Sequence, residues 1–298
     1  MLLDSAEAFD DQAARYRTEL LAHCYRMLGN IDDAEDALQE GLARAWRSRD
    51  TFTQSISFRA WLYRIVTNVC LNAIKARNRH RVESGLAIGP WPDDRMGVAP
   101  SELGPEARFE SHESISLAFL TVLQVLPPRQ RAVLLLREVL TFSSAEVASL
   151  LDMSVPGVNS ALQRARATLR GSYSPRAQTP RNLLERYVRA WEAADVAELV
   201  TLLREDAVLT MPPQPTVIGA GEIGKFLADV IFPMAPMRLV ERRANGRPAL
   251  ALYMREPGGN RLSMFALLVI AGDGNRITQI DAFADPRVLA RFDQYLGD

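Results

Sequence analysis

Residues 143–170 read SSAEVASLLDMSVPGVNSALQRARATLR, and their punctuation decides how this part of the chain folds. Ser143 and Glu146 stand at capping-box spacing, the hydroxyl reaching forward and the carboxylate reaching back to satisfy the first free amides of a helix. A short helix carrying Val147, Leu150 and Leu151 follows. Asp152-Met153 makes the turn, Ser154 can cap the next helix, and Pro156 is tolerated in its first turn. In that second helix Val158, Leu162, Ala165 and Leu169 repeat at three and four and face a core. The opposite side offers Asn159, Ser160, Gln163, Arg164 and Ala167, with Arg166 and Arg170 beside them. Two short helices joined tightly, the second polar and basic, form a helix-turn-helix. Its amides suit adenine, and its guanidinium groups suit guanine or phosphate. No acidic side chain occurs from Met153 to Arg181, as a face set against phosphates requires.

Upstream, Ile115, Ala118, Phe119, Val122 and Leu126 make an amphipathic helix stopped by Pro127-Pro128, and Arg129 to Val139 makes another. Residues 113–180 carry 7 basic and 4 acidic side chains, the only net-basic segment of the chain. Residues 84–111, rich in Gly and Pro without helical or alternating period, read as a flexible linker. Before it, residues 1–83 are helical in pattern. Asp32, Asp33, Glu35 and Asp36 sit in and near a first helical turn, where the helix dipole favours acids. Ala34, Leu38, Leu42, Ala45 and Trp46 make the apolar stripe, leaving Asp33, Asp36, Gln39 and Glu40 largely off it. A helix from about Phe58 to Arg79 ends in a basic run with interleaved amides: Asn68, Asn72, Lys75 and Arg77. Such a run is either a solvated helix end or a nucleic-acid face, and the asparagines with Trp61 favour the second.

The whole chain has 298 residues, a net charge of −1, 48% hydrophobic and 24% charged residues. That composition excludes a mainly disordered chain and calls for more than one domain. No secretory signal and no run of about 18 apolar residues is visible, so a soluble cytoplasmic protein without membrane contact is expected. Cys24 and Cys70 supply neither a disulfide framework nor a zinc site, and no metal or cofactor is called for.

Two blocks carry a resemblance. Residues 33–40 (DAEDALQE) with 58–68 (FRAWLYRIVTN) resemble region two of an extracytoplasmic-function sigma factor of the sigma-70 family. Leu126-Pro127-Pro128-Arg129-Gln130-Arg131 and the helix-turn-helix resemble region four. The resemblance implies that Asp33, Asp36, Gln39 and Glu40 dock on core RNA polymerase. It implies that residues around Trp61, Asn68, Asn72, Lys75 and Arg77 open and read the minus-ten promoter element. Minus-thirty-five recognition would fall to Arg129, Asn159, Ser160, Gln163, Arg164 and Arg166, with the linker threading towards the polymerase channels.

Minimal members of that family stop soon after region four, whereas this chain continues beyond residues 172–180, a second linker. Residues 181–298 read as α+β: helices, strand candidates at 207–211, 237–242, 248–255, 261–270 and 276–284, and a closing helix. Asn245-Gly246, Gly258-Gly259-Asn260 and Gly272-Asp273-Gly274-Asn275 have hairpin chemistry, so an antiparallel meander wrapped on a helix is expected. Residues 187–191 (YVRAW), 202–208 (LLREDAV) and 280–286 (IDAFADP) resemble a SnoaL-like cone, as in the sigma factors described as the SigG-like group. The DGGGK motif of a related group is missing, so a mechanism assigned to it does not transfer.

The fold expectation is therefore multidomain: two all-α domains, 1–83 and 112–171, plus a C-terminal α+β cone. Trp191, Asp206, Met211, Tyr253 and Asp281 are candidate pocket residues. With no histidine after His112, an Asp–His dyad is impossible there, and no catalytic residue is assigned. The expected function is a promoter-specific sigma factor whose C-terminal domain acts as an intramolecular regulator. The alternative is a DNA-binding module fused to a cone-fold isomerase or hydrolase, or to a small-molecule sensor.

Overall fold

A computed structural model describes residues 6–53, 56–80, 88–93, 117–170, 179–234, 236–255 and 262–293. The turn expected at Gly258-Gly259-Asn260 and most of both linkers lie outside these residues. No described helix is long and apolar enough to cross a membrane. Helices up to residue 170 build one compact unit; residues 90–93 and those from 179 onward build another.

The first unit opens with α1 (Ala6–Leu28), α2 (Ile31–Arg47) and α3 (Phe58–His80). Asn30 caps α2 by accepting from the amides of Asp32 (2.8 Å) and Asp33 (3.3 Å), and Asp32 and Asp33 occupy the dipole-favoured first turn. Next come α4 (Leu117–Val125) and α5 (Pro128–Leu134), the latter continued by a π-helical turn at Leu135–Val139. The helix-turn-helix is α6 (Ser144–Leu150) and α7 (Val155–Arg170).

A helix leaves its last four carbonyls without intrahelical amides. In α1 these belong to Tyr25, Arg26, Met27 and Leu28, and each is met by a different group. Gly29, at φ +79, donates its N–H to Tyr25 at 2.7 Å. Gln124 of α4 donates to Arg26 at 3.4 Å, Arg131 of α5 to Met27, and Arg77 of α3 to Leu28 at 3.3 Å. Arg131 is only 3% exposed. Its guanidinium also reaches Gln124 Oε1 (2.6 Å), the Gln124 carbonyl (3.0 Å) and the Leu126 carbonyl (3.2 Å). Burial lowers its pKa to about 10, which leaves it charged at neutral pH. Around this knot, Tyr63 packs edge-on to Phe142 at 5.4 Å, and Arg64 pairs with Asp152 at 3.0 Å.

The second unit starts with α8 (Arg181–Glu192) and α9 (Val196–Leu202) and then forms a six-stranded sheet. Its strands are β1 (Leu203–Met211), β2 (Gln214–Ile218), β3 (Met237–Ala244), β4 (Arg247–Arg255), β5 (Leu262–Gly272) and β6 (Ile277–Phe283), in the order β2-β1-β6-β5-β4-β3. Helix α10 (Ala220–Phe226), extended by a π-helical turn at Leu227–Ile231, lies between β2 and β3, and α11 (Pro286–Phe292) follows β6. The meander β3 to β6 is antiparallel as expected, but β1 joins β6 in parallel, so the sheet is mixed. Strand β2 lies outside the strand candidates; it carries Pro215 and sits at the sheet edge, where a missing donor is tolerated.

Part of the first linker belongs to this unit. The β3–β4 turn places Asn245 (φ 54) and Gly246 (φ 72) in the left-handed region that a two-residue hairpin requires. Asn245 then accepts the Trp91 amide at 2.9 Å through its side chain and donates its own amide to Trp91 at 3.1 Å. Asp93 accepts from Gly246 (2.8 Å) and from Arg243 (3.1 Å), and Pro92 bridges Ala244. Residues 91–93 thus extend the β3–β4 hairpin, and Trp91 is buried. One residue earlier than Pro90, Gly89 bonds to Gly29 and accepts from the Tyr25 hydroxyl in the first unit.

Two outcomes follow for the helical unit. Arg131→Met leaves several buried acceptors unpaired and lowers its stability by about 2–4 kcal/mol in denaturant titrations. Arg131→Lys recovers less than half, since an ammonium cannot reproduce the fork. The second concerns His23, fully buried with Nε2 2.9 Å from Thr67 Oγ1. Burial first, then Arg26 and Arg59, lower its pKa from 6.5 to about 3. The unfolded chain therefore binds a proton that the folded one refuses. Stability is full above about pH 6.5 and falls towards pH 3 by up to about 1.4 kcal/mol per pH unit. His23→Asn, compared by denaturation at pH 7 and pH 5, loses that slope.

Candidate functional site

Three surfaces concentrate the side chains singled out above. The first is the helix-turn-helix. Ser143 and Glu146 form both halves of the capping box, at 3.2 Å and 2.7 Å, and these bonds hold the Glu146 carboxyl below the usual carboxylate range. Asp152 (φ 49) makes the turn, and the Ser154 hydroxyl accepts from Gly157 at 3.2 Å to start α7. Val158, Ala161, Leu162 and Ala165 are buried, which turns Asn159, Ser160, Gln163, Arg164 and Arg166 outward. Asn159 accepts from Ser144 at 2.9 Å, and Arg166 pairs with Glu138 at 2.6 Å. Ser160, Gln163 and Arg164 have no side-chain partner among the described residues, which leaves them available to base edges or phosphates. Arg129 is exposed in the first turn of α5.

The second surface is a groove of about 380 Å³ between α2 and α3. Leu28, Ala37, Val69 and Ala73 floor it; Asp33, Asp36, Glu40 and Arg77 rim it. Next to it, a Cβ at Gly41 would lie 2.7 Å from a Val66 methyl, so glycine lets α2 and α3 approach this closely. Glu40 bonds Arg44 at 2.6 Å, which lowers its pKa, and Arg77 pairs with Asp33 at 3.4 Å. An apolar floor under a mainly acidic rim suits a partner helix with apolar and basic side chains. Gln39 is exposed on α2 but is not among the groove-lining residues.

Along α3, Asn72 and Lys75 are exposed and Asn68 is half-buried. Two members of the expected DNA-reading set stand elsewhere. Arg77 turns to the groove and to the end of α1. Trp61 is only 6% exposed and packs against Phe52 (5.3 Å) and Phe58 (5.7 Å), so its ring cannot stack on a base without leaving that cluster.

The third surface is the interior of the cone. Trp191 and Met211 line its cavity, together with apolar side chains from α8, α10 and the sheet. Asp206, Tyr253 and Asp281 do not, and strand alternation is the reason. Leu252, Ile280 and Ala282 face the cavity, so Tyr253 and Asp281 point to the other side of the sheet. Asp281 accepts there from Thr210 (2.7 Å) and Gln279 (2.6 Å). The Tyr253 hydroxyl donates to Asp293 at 3.1 Å, and burial followed by Asp293 raises its pKa. Asp206 is exposed and salt-bridged to Arg204, which lowers its pKa. The lining holds no carboxylate, and burial pushes the pKa of its one phenol, Tyr187, up.

Sequence reasoning did not find the groove floor, since small apolar residues on two helices carry no chemical signal apart. It also left Trp91 and Asp93 inside a linker; an isolated tryptophan among glycines and prolines was the available clue.

Residues 13–80 match the family described as Sigma-70 region 2, residues 116–169 Sigma-70, region 4, and residues 184–280 SnoaL-like domain. The chain is 39% identical to the ECF RNA polymerase sigma factor SigG of Mycobacterium tuberculosis over 312 residues, covering 95% of this chain and 83% of that protein. It is 30% identical to the ECF RNA polymerase sigma factor SigW of Bacillus subtilis over 165 residues, 55% of this chain and 88% of that protein. The crystal structure of the M. tuberculosis extracytoplasmic function sigma factor SigJ shares the fold with a TM-score of 0.67 at 22% identity, covering 94% of this chain and 98% of that one.

Gly41→Ala tests the α2–α3 contact. Overpacking against the buried Val66 outweighs the gain in helix propensity, for a net loss of about 1 kcal/mol in denaturant titrations.

Proposed function

Because the chain belongs to the extracytoplasmic-function RNA polymerase sigma factor family, binding core polymerase and directing promoter-specific initiation, we propose how its surfaces divide that work and that the SnoaL-like domain restrains it through the linker. Asp33, Asp36, Gln39 and Glu40, with the groove beneath the acids, dock on core polymerase. Asn68, Asn72 and Lys75 on α3 serve the minus-ten element. Arg129, Asn159, Ser160, Gln163, Arg164 and Arg166 serve the minus-thirty-five element, Gln163 and Arg164 by direct readout. The protein works in the cytoplasm, where its template lies.

The observation that carries the restraint is the capture of residues 91–93 by the β3–β4 turn. The covalent path from the minus-ten reader to the minus-thirty-five reader runs through those residues, and Asn245, Gly246 and Arg243 hold them with four hydrogen bonds. The two elements lie about 25 base pairs apart, roughly 85 Å of duplex at about 3.4 Å per step. In the helical unit Arg64 and Asp152 touch at 3.0 Å, and Arg131 ties α5 to the end of α1. Reading both elements at once therefore requires α1–α3 and α4–α7 to part and the linker to be redeployed. A linker held by the cone opposes that redeployment.

Run-off transcription with core polymerase tests this. The double variant Asp93→Ala, Asn245→Ala raises output several-fold over wild type, as does a chain ending at residue 176. Output equal to wild type from both overturns the restraint. Arg164→Ala and Gln163→Ala weaken some promoters more than others, whereas equal losses on every promoter count against direct readout.

A further inference from the structure

We propose that Ser144 sets which base Asn159 reads: by engaging the Asn159 amide oxygen it leaves that side chain a donor, so that α7 selects guanine rather than adenine at the base pair beneath it. The inference rests on the reading of α7 as the minus-thirty-five reader and adds to it a positioning residue from outside that helix. Ser144 is the first residue of α6, and the capping box of Ser143 and Glu146 fixes where that helix begins. Ser144 is half-buried, Asn159 is exposed, and the serine hydroxyl donates to Asn159 Oδ1 at 2.9 Å. Val158, Ala161 and Leu162 are buried on either side of Asn159, so α7 cannot turn about its axis to carry the amide out of reach.

An asparagine side chain has an acceptor at one end and two donors at the other. It reads adenine by using both ends at once, the oxygen taking the N6 amino group and the nitrogen donating to N7. Here the oxygen is turned to α6, and the two atoms lie on opposite sides of the amide carbon, so the nitrogen is turned away from it. The Nδ2 donors have no partner among the described residues. What Asn159 holds out is therefore a pair of N–H groups. Guanine answers with two major-groove acceptors, N7 and O6, whereas adenine sets an amino donor beside its N7 and cytosine shows only a donor.

In the free protein this bond is exposed and exchanges with water at little cost. Against DNA the water is displaced, and breaking the bond then strands the serine hydroxyl without an acceptor, so the preset orientation acts where the base is read. Gln163, one turn further along α7, gives the contrast. Its amide has no side-chain partner among the described residues, so both of its ends are free and adenine remains its base. Two amides on one helix face thus carry different readouts, although their residue types would give them the same one.

The test uses the full-length protein with core polymerase and a promoter library randomised across the minus-thirty-five element, the transcribed templates being sequenced. Asn159→Ala identifies the base pair that Asn159 reads as the one whose preference it flattens. At that pair wild type is expected to favour guanine over adenine by about five-fold or more. Ser144→Ala loses this preference or reverses it towards adenine, and Ser144→Thr, which keeps the hydroxyl, retains it. Pairs flattened by Gln163→Ala or Arg164→Ala keep their wild-type preferences in Ser144→Ala, which separates the switch from a general loss of fold or affinity. Absence of a guanine preference in wild type at the Asn159 pair overturns the proposal, and so does a guanine preference that survives Ser144→Ala unchanged. If Asn159→Ala flattens no pair while Gln163→Ala or Arg164→Ala does, the proposal falls and minus-thirty-five reading by α7 stands. If none of the three flattens a pair, that reading falls with it.

Discussion

The end of the first helix organises the helical unit. Four carbonyls that α1 cannot bond for itself are met by Gly29, Gln124, Arg131 and Arg77, and the last three come from three other helices. The need to satisfy buried backbone acceptors thereby becomes the device that gathers α3, α4 and α5 at one point. The positive groups among them also lie at the negative end of the α1 dipole, which strengthens each bond. Because Arg131 is buried and desolvated, removing one of its partners leaves a charge or an acceptor buried without compensation, so the knot is strong only while complete.

The C-terminal domain is organised by a different constraint, the alternation of strand side chains. The inner face of the sheet supplies Leu252, Ile280 and Ala282 to an apolar interior, and the outer face carries Tyr253 and Asp281 into polar contacts. Among the described residues, the lining of this interior carries no charged side chain. The same β3–β4 hairpin that contributes Leu252 to the interior grips the linker through its turn at Asn245-Gly246. One hairpin therefore serves both the cavity and the connection between promoter-reading regions.

The restraint proposed above lies in the covalent path rather than on the exposed face of α7. Ser160, Gln163 and Arg164 project from α7 without side-chain partners among the described residues, ready for a groove. The proposed restraint is relieved when the helical unit opens and residues 91–93 leave the hairpin.

Local chemistry made much of this legible from residues alone. The capping box at Ser143-Glu146, the repeat of Val158, Leu162 and Ala165, and the Asn245-Gly246 turn each act within a few residues, so sequence by itself determined the helix-turn-helix, the acidic α2 and the hairpins. Periodicity likewise assigned the exposed face of α7. Tertiary structure decided what depends on meeting partners far along the chain. It buried Trp61 among Phe52 and Phe58, set Arg77 at the groove and the end of α1, joined β1 to β6 in parallel and kept Asp206, Tyr253 and Asp281 out of the cavity. It also converted Trp91 and Asp93 from linker into part of a hairpin. A single residue's type says which bonds it can make, but only the fold says which unsatisfied group stands within reach.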